Sequence, residues 1–296
     1  MVYKMSRPIT SLTGFVRKIE QLTDKSRNGQ IYFRGHSDRD YLVEPSLFRS
    51  NNHYQSEHLL VRQLLASHPQ EFKNDSSTFE KLVRSQHYGL PTRLLDVTRN
   101  PLVAMYFACK GKPKINGRIL FLTPNIDQLK YFDSDTVSCL SNLCFLKKYE
   151  KDELITNARS TLIESLKRSG SESIPKKDVI LRFNEHEVVD RLVQFIRSEK
   201  PSFRAMINPF DLFGVVSVVP RKLHARLSAQ DGAFFIFGLF GSIGENDGEK
   251  LKLEHVDVDR NSKAKILREL ELVGISEDTL FPEIDKSADQ IKRRYS

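Results

Sequence analysis

Apolar positions along this chain follow two rhythms, one near the 3.6-residue period of a helix and one of short runs bounded by turn residues. Together they predict a mixture of helices and strands. Phe15, Ile19 and Leu22 stand at helical spacing behind Ser11, which predicts a first helix over 11–25 with Ser11 as N-cap. The run QIYFRGH at 30–36 follows Asn28-Gly29 and has the aromatic and β-branched content of a strand. YLVEPSLFR at 41–49 reads as a short extended piece interrupted by Pro45. Helices are expected over 56–67 and 77–86, the second with Phe79, Leu82 and Val83 on one face.

Gly89 and Pro91 end that helix, and TRLLDVT at 92–98 reads as a short strand entering a buried setting. Asn100-Pro101 then opens a helix with Asn100 as N-cap and Pro101 at the tolerated first position. Leu102, Val103, Tyr106 and Phe107 form its apolar face, and GRILFLTP at 117–124 reads as a central strand. From about 145 to 200 the chain is charged and helical, and it is expected to be an insertion that shapes the rim of a site or binds a partner. GVVSVVPRK and GAFFIFGLF return to strand patterning. This order lacks regular strand–helix alternation, so the expected class is α+β: a mixed, mostly antiparallel sheet with helices, as one domain over 10–292.

A chain of 296 residues with 39% hydrophobic content is large enough to bury a substantial core. No window approaches the roughly 18 apolar residues of a membrane helix, and Met1 is followed by no apolar leader, which predicts a cytoplasmic protein without a membrane partner. Cys109, Cys139 and Cys144 show no paired spacing and read as buried thiols. The net charge of +8 would suit a polyanion, but basic and acidic residues are interleaved. Local clusters occur at Lys292–Arg294 and 174–178, without a helix-turn-helix, zinc-finger or RNP pattern, which disfavours nucleic acid as the partner. Rossmann and Walker A sequences are also missing.

Candidate chemistry gathers at strand ends. Arg34 offers a planar fork suited to a pyrophosphate or carboxylate, and Gly35 would let a ligand approach the backbone; an Arg34–Asp96 ion pair joining two strands is the competing reading. Arg93 and Asp96 point to opposite faces of an extended strand and can both be structural. Gln86 and His87 fall at a helix end, where His87 can bond a ribose hydroxyl, act as acid or base, or simply be a satisfied buried imidazole. Tyr88 can stack on a base or pack in the core. Arg226 can reach the same cleft or cap the preceding segment, and Gln230 can be an amide at a hairpin centred on Asp231-Gly232.

YFRGHSDRDYLVEPSLFR, QHYGLPTRLLDVTRNPLVAMYFA, RLSAQDGAFFIFG and ISEDTLFPEID together resemble the FRG domain family of bacterial and phage proteins, named for the Phe-Arg-Gly that stands here at Phe33, Arg34 and Gly35. The resemblance extends over about residues 10–292. A second resemblance is to arginine-type ADP-ribosyltransferases: a strand ending in Arg-Gly, then Asp96-Val97-Thr98 leading into Asn100-Pro101 and an apolar helix, then Gln230-Asp231-Gly232 entering a strand. It implies an ADP-ribosyltransferase-like fold with NAD as substrate, Arg34 on its pyrophosphate, Thr98 in the Ser-Thr-Ser position and Gln230 in place of the catalytic glutamate. A neutral amide keeps the hydrogen bond but not the charge that steadies a developing cation. Either Glu44, Asp96 or Asp231 then serves as carboxylate, or the fold binds a nucleotide without cleaving it.

The expected nucleotide-binding set is therefore Arg34, Gly35, Gln86, Tyr88, Arg93, Thr98, Asn100 and Arg226, with Gln230, Asp96, Glu44 and His87 carrying any chemistry. A transferase or NAD glycohydrolase acting as a toxin or antiphage effector on a protein acceptor is the function the resemblances imply. A non-catalytic nucleotide-sensing or protein-interaction module is the alternative.

Overall fold

The computed structural model describes residues 7–23, 30–169, 174–221, 225–243 and 251–283, with Ala288 and Lys292. Strands β1 (Tyr32–His36), β2 (Leu94–Thr98), β3 (Gly117–Pro124), β4 (Leu129–Tyr131), β5 (Val215–Val219), β6 (Gly232–Phe237) and β7 (Leu251–Val258) form one curled sheet in the order β4-β5-β6-β2-β1-β3-β7. Every pairing is antiparallel except that of β4 with β5. This is the expected mixed α+β class.

The helices that position the site are α1 (Leu12–Thr23), α2 (Asn51–Gln55), α3 (Glu57–Ser67), α4 (Thr78–His87) and α5 (Pro101–Cys109). Between β4 and β5 run α6 (Asp135–Asn142), α7 (Lys148–Ser169), α8 (Lys176–Phe183), α9 (Glu187–Glu199) and the short α10 (Pro209–Leu212). The chain closes with α11 (Ala225–Ala229), α12 (Lys263–Leu272) and α13 (Glu277–Leu280). The first helix starts as expected, with Ser11 Oγ accepting from Gly14 N at 3.1 Å, whereas its expected end at 24–25 and the Asn28-Gly29 turn lie outside the described residues. Residues 41–45 join no strand and 46–49 form a turn, in which Phe48 N bonds back to the Pro45 carbonyl, so the expected extended piece is not formed.

Strand alternation sorts the core. Tyr32, Leu95, Val97, Leu120 and Phe235 meet on one face of the sheet, which curls enough to bring the Tyr32 and Phe235 rings to 5.5 Å in an edge-on contact. The opposite face carries two separate clusters. Phe33, Ile119, Phe121 and Val256 pack against α1, α5 and α12. Leu94, Val216, Phe234 and Ile236 pack against α3, α4 and α6 to α9. The helical stretch 145–200 is thus part of the core, with Leu154, Phe183, Val189, Leu192 and Ile196 buried beneath β2, β6 and β5. Expected to shape the rim of a site or bind a partner, the stretch also serves as core.

The two helical layers part at the β1–β2 seam. These strands share the single register pair Phe33↔Thr98, while β1–β3 and β2–β6 pair along their whole lengths. Helix α5 sits directly on the sheet beside this seam, where a Cβ on Gly35 would collide with the Ala104 carbonyl and one on Gly117 with the Ala108 carbonyl. Gly35 therefore lets a helix approach the strand closely.

Arg93 is fully buried, contrary to its expected place in a nucleotide site. Its Nε and Nη2 donate to Glu57 Oε1 and Oε2 at 2.9 and 2.5 Å, and its Nη1 donates to the Phe237 and Gly238 carbonyls. Lys151 from α7 donates to the same Glu57 oxygen at 2.5 Å. Burial alone would raise the Glu57 carboxyl, but Arg93 and Lys151 together hold it below its ordinary range. We expect Glu57→Gln, which keeps the shape and strands two buried cations, to cost about 3–5 kcal/mol in urea unfolding. A loss under about 1 kcal/mol, the worth of a surface pair, would show that the cations do not need this carboxylate.

Candidate functional site

A cavity of about 250 Å³ opens at the seam. Phe33, Arg34, Gly35, Asp96, Val97 and Thr98 supply its floor; Val83, Gln86 and His87 of α4 form one wall and Val103, Ala104 and Phe107 of α5 the other. Arg226, Leu227, Gln230 and Phe234 close the far side. The placement follows from local sequence: the Asn100 side chain accepts from Leu102 N at 2.9 Å, Pro101 occupies the first turn, and α5 therefore starts at the end of β2.

Arg34 stands where the β1–β2 ladder stops. Continued register from Phe33↔Thr98 would oppose Arg34 to Val97 and then Gly35 to Asp96. The Arg34 guanidinium takes that place, with Nη1 donating to the Asp96 backbone carbonyl at 2.5 Å and Nε donating to His36 Nε2 at 3.0 Å. The anticipated ion pair with the Asp96 side chain is thus replaced by a contact to its backbone. Nη2 of Arg34 makes no hydrogen bond among the described residues. Burial lowers the Arg34 pKa, against the pull of Asp96 and with the push of Arg49, yet a guanidinium keeps its proton at any physiological pH.

Asp96 is the exposed position in an otherwise buried β2, and it is the carboxylate that lines the cavity. Gln86 fixes its orientation: Nε2 donates to Asp96 Oδ2 at 2.7 Å, while Gln86 Oε1 accepts from the Thr92 hydroxyl. Asp96 Oδ1 has no hydrogen-bond partner among the described residues. Thr98 is engaged on both sides, its hydroxyl donating to the Gln230 carbonyl at 2.6 Å and accepting from Asn100 N at 2.9 Å. The Gln230 side chain lines the cavity but donates to the Leu280 carbonyl at 3.1 Å. Arg226 lies 4.8 Å from the centroid of the Phe281 ring, and His87 Nε2 lies 3.8 Å from Glu283 Oε1.

The structure thus brings Arg34, Gln86, His87, Asp96, Thr98, Arg226 and Gln230 to one cavity, with the backbone of Gly35. Four other expected residues stand apart. Arg93 is locked to Glu57, and Asn100 is committed to its helix cap. Tyr88 is 59% exposed outside the cavity, with its hydroxyl on Glu71 at 3.2 Å, so it gives no stacking wall. Glu44 does not line the cavity, and its backbone carbonyl accepts from Arg49. Asp231, the remaining carboxylate considered, pairs with Arg99 at 2.5 Å. Residues missed from sequence are His36, which orients Arg34, and Phe281 and Glu283, which reach the cavity residues from a distant part of the chain. His36 was open to discovery, because it stands two residues from Arg34 and so shares its strand face.

Residues 29–116 match the family model of the FRG domain. That stretch carries the floor strands, α4 and α5, while Arg226, Gln230 and the Leu280–Glu283 segment lie beyond it. No curated protein and no solved structure matches the chain.

His36 is 3% exposed, and its pKa is lowered from 6.5 to about 3 by burial first and then by Arg34, Arg49 and Arg118. Its Nε2 accepts from Arg34, which assigns the neutral ring's proton to Nδ1. The unfolded chain binds a proton at this site near pH 6.5 and the folded chain does not until about pH 3, so the stability it confers is complete above that window and falls as pH drops through it. We expect the wild type to lose up to about 1.4 kcal/mol per pH unit more than His36→Gln between pH 6 and 4, measured by urea unfolding. Parallel pH profiles for the two proteins would contradict this assignment.

Proposed function

We propose that the seam cavity binds a nucleotide, that NAD is its substrate, and that the chemistry is cleavage of the bond between nicotinamide and ribose. The observation that carries this reading is the pairing at one split seam of a guanidinium with a free Nη2 and a carboxylate with a free oxygen, under apolar walls. Arg34 meets the pyrophosphate through Nη2, the guanidinium nitrogen that makes no hydrogen bond among the described residues. The volume of about 250 Å³ is under the ~300–1,000 Å³ range of drug-sized ligand pockets, which suits part of the dinucleotide, from the nicotinamide ribose to the pyrophosphate at Arg34, with the adenosine outside.

When the glycosidic bond breaks, its electron pair leaves with nicotinamide as a neutral molecule and positive charge grows on the ribosyl carbon. Asp96, held by Gln86, offers the negative charge that steadies this state, and water or a protein side chain then bonds to the ribosyl carbon with its electron pair and gives up a proton to solvent. Action as a toxin or antiphage effector would follow from consumption of NAD. A second reading, a sensor that binds a nucleotide without cleaving it, is favoured by Gln230, a neutral amide already turned to the Leu280 carbonyl.

We expect purified protein to release free nicotinamide from NAD, followed by chromatography. Arg34→Ala loses nucleotide binding by calorimetry and costs about 1–3 kcal/mol of stability, because it also leaves the Asp96 carbonyl without its donor. Asp96→Asn keeps binding and slows release about a hundredfold. Binding without release in the wild type would establish the sensor, and neither binding nor release would overturn both readings.

A further inference from the structure

One short stretch of chain engages three polar groups of the cavity wall. Gln230 donates to the Leu280 carbonyl at 3.1 Å, the Arg226 guanidinium sits 4.8 Å from the Phe281 ring, and Glu283 Oε1 lies 3.8 Å from His87 Nε2. Phe281 is anchored in turn by an edge-on contact with Phe107, at 6.1 Å between ring centroids. Residues 280–283 therefore lie along the edge of the cavity without being part of its lining.

Glu283 is the anomalous member. Both carboxylate oxygens are hidden from solvent and accept no hydrogen bond among the described residues. A separation of 3.8 Å is too long for a hydrogen bond to His87. A carboxylate in such a position loses its hydration without gaining donors, which is costly. The group that faces it is His87, a cation when protonated, while Arg226 lies over the ring of the neighbouring Phe281. A group held by charge without fitted donors is readily exchanged for a better anion.

We infer that the His87 and Arg226 end of the cavity is an anion subsite and that Glu283 occupies it in cis, as an internal competitor of a phosphate-bearing ligand. The inference deepens the nucleotide reading, and it rests on that reading for the ligand's identity alone. An incoming phosphate supplies two or more negative oxygens to the same cations, displaces the Glu283 carboxylate and returns it to water. The segment then acts as an autoinhibitory contact: ligand affinity is lowered by whatever holds the carboxylate in place.

The test is calorimetric titration of the full chain with inorganic pyrophosphate and, separately, with ADP-ribose. Wild type is compared with Glu283→Gln, which keeps the shape and removes the charge, and with Glu283→Ala, which also excludes new donors from the glutamine amide. Both variants are expected to bind pyrophosphate at least about fivefold more tightly than wild type. The gain is expected to vanish when His87→Ala is added. Equal or weaker pyrophosphate binding by both variants would overturn the inference, because Glu283 would then be neutral toward the subsite or part of it. Tighter pyrophosphate binding with no ADP-ribose binding in any protein would leave the subsite standing and sink the nucleotide reading. Equal ADP-ribose and pyrophosphate affinities across the series would do the reverse.

Discussion

A single buried carboxylate organises the side of the molecule on which the cavity rests. Glu57, at the start of α3, accepts from Arg93 at the head of β2 and from Lys151 in α7, and none of the three side chains is more than 1% exposed. Arg93 extends the tie to the end of β6 through the Phe237 and Gly238 carbonyls, and Tyr54 adds its hydroxyl to the Leu239 carbonyl. Removing Glu57 would leave two buried cations uncompensated, so the cluster depends on that one carboxylate. It also sets the orientation of β2. With Arg93 committed to the cluster, extended backbone turns Asp96 to the other side, where it is exposed.

From there the cavity is a consequence of how two helical layers share one sheet. The layer containing α5 needs close contact with β1 and β3, which Gly35 and Gly117 permit, while α4 and its neighbours cover β2 and β6. The two layers leave a gap over β1 and β2, and the ladder there is reduced to Phe33↔Thr98. A freed backbone carbonyl near the interior needs a donor. Arg34 provides it, and His36 holds the guanidinium at the angle to do so. The same residue thus closes a structural defect and presents the remaining face of a cation to the cavity.

Local signals in the sequence announce α4, α5, β1, β2, β3 and β6, because each combines a clear period with a cap or a turn residue. Asn100-Pro101 is the plainest case, since both residues act at the positions that their chemistry favours. β7 was hidden because its apolar residues change face midway: Leu251 and Leu253 serve one core while Val256 and Val258 serve another. The burial of 145–200 was also hidden, because charged helices such as α7 carry Lys151 inward to a partner nearly a hundred residues away. Among site residues, sequence reasoning named Arg34, Asp96, Gln86, Thr98, His87, Arg226 and Gln230, which share a cavity, but it assigned Arg93, Asn100, Tyr88 and Glu44 to the same place. Only long-range contacts separate these groups, and such contacts leave no local pattern.

Two glutamines illustrate how the same side chain takes opposite parts across this cavity. Gln86 spans Thr92 and Asp96, accepting from one and donating to the other, so that its amide aims a carboxylate and leaves one oxygen unoccupied. Gln230 instead donates to the Leu280 carbonyl, and its own backbone carbonyl is bonded by Thr98. A glutamate at 230 would set a carboxylate against that carbonyl, repelling the segment that the amide now fastens. The neutral residue at 230 is therefore matched to the attachment of 280–283, while negative charge enters the cavity from Asp96 on the opposite strand. The polarity of the site is divided accordingly, with Asp96 and Arg34 at the seam and Arg226 and His87 beside the segment that carries Glu283.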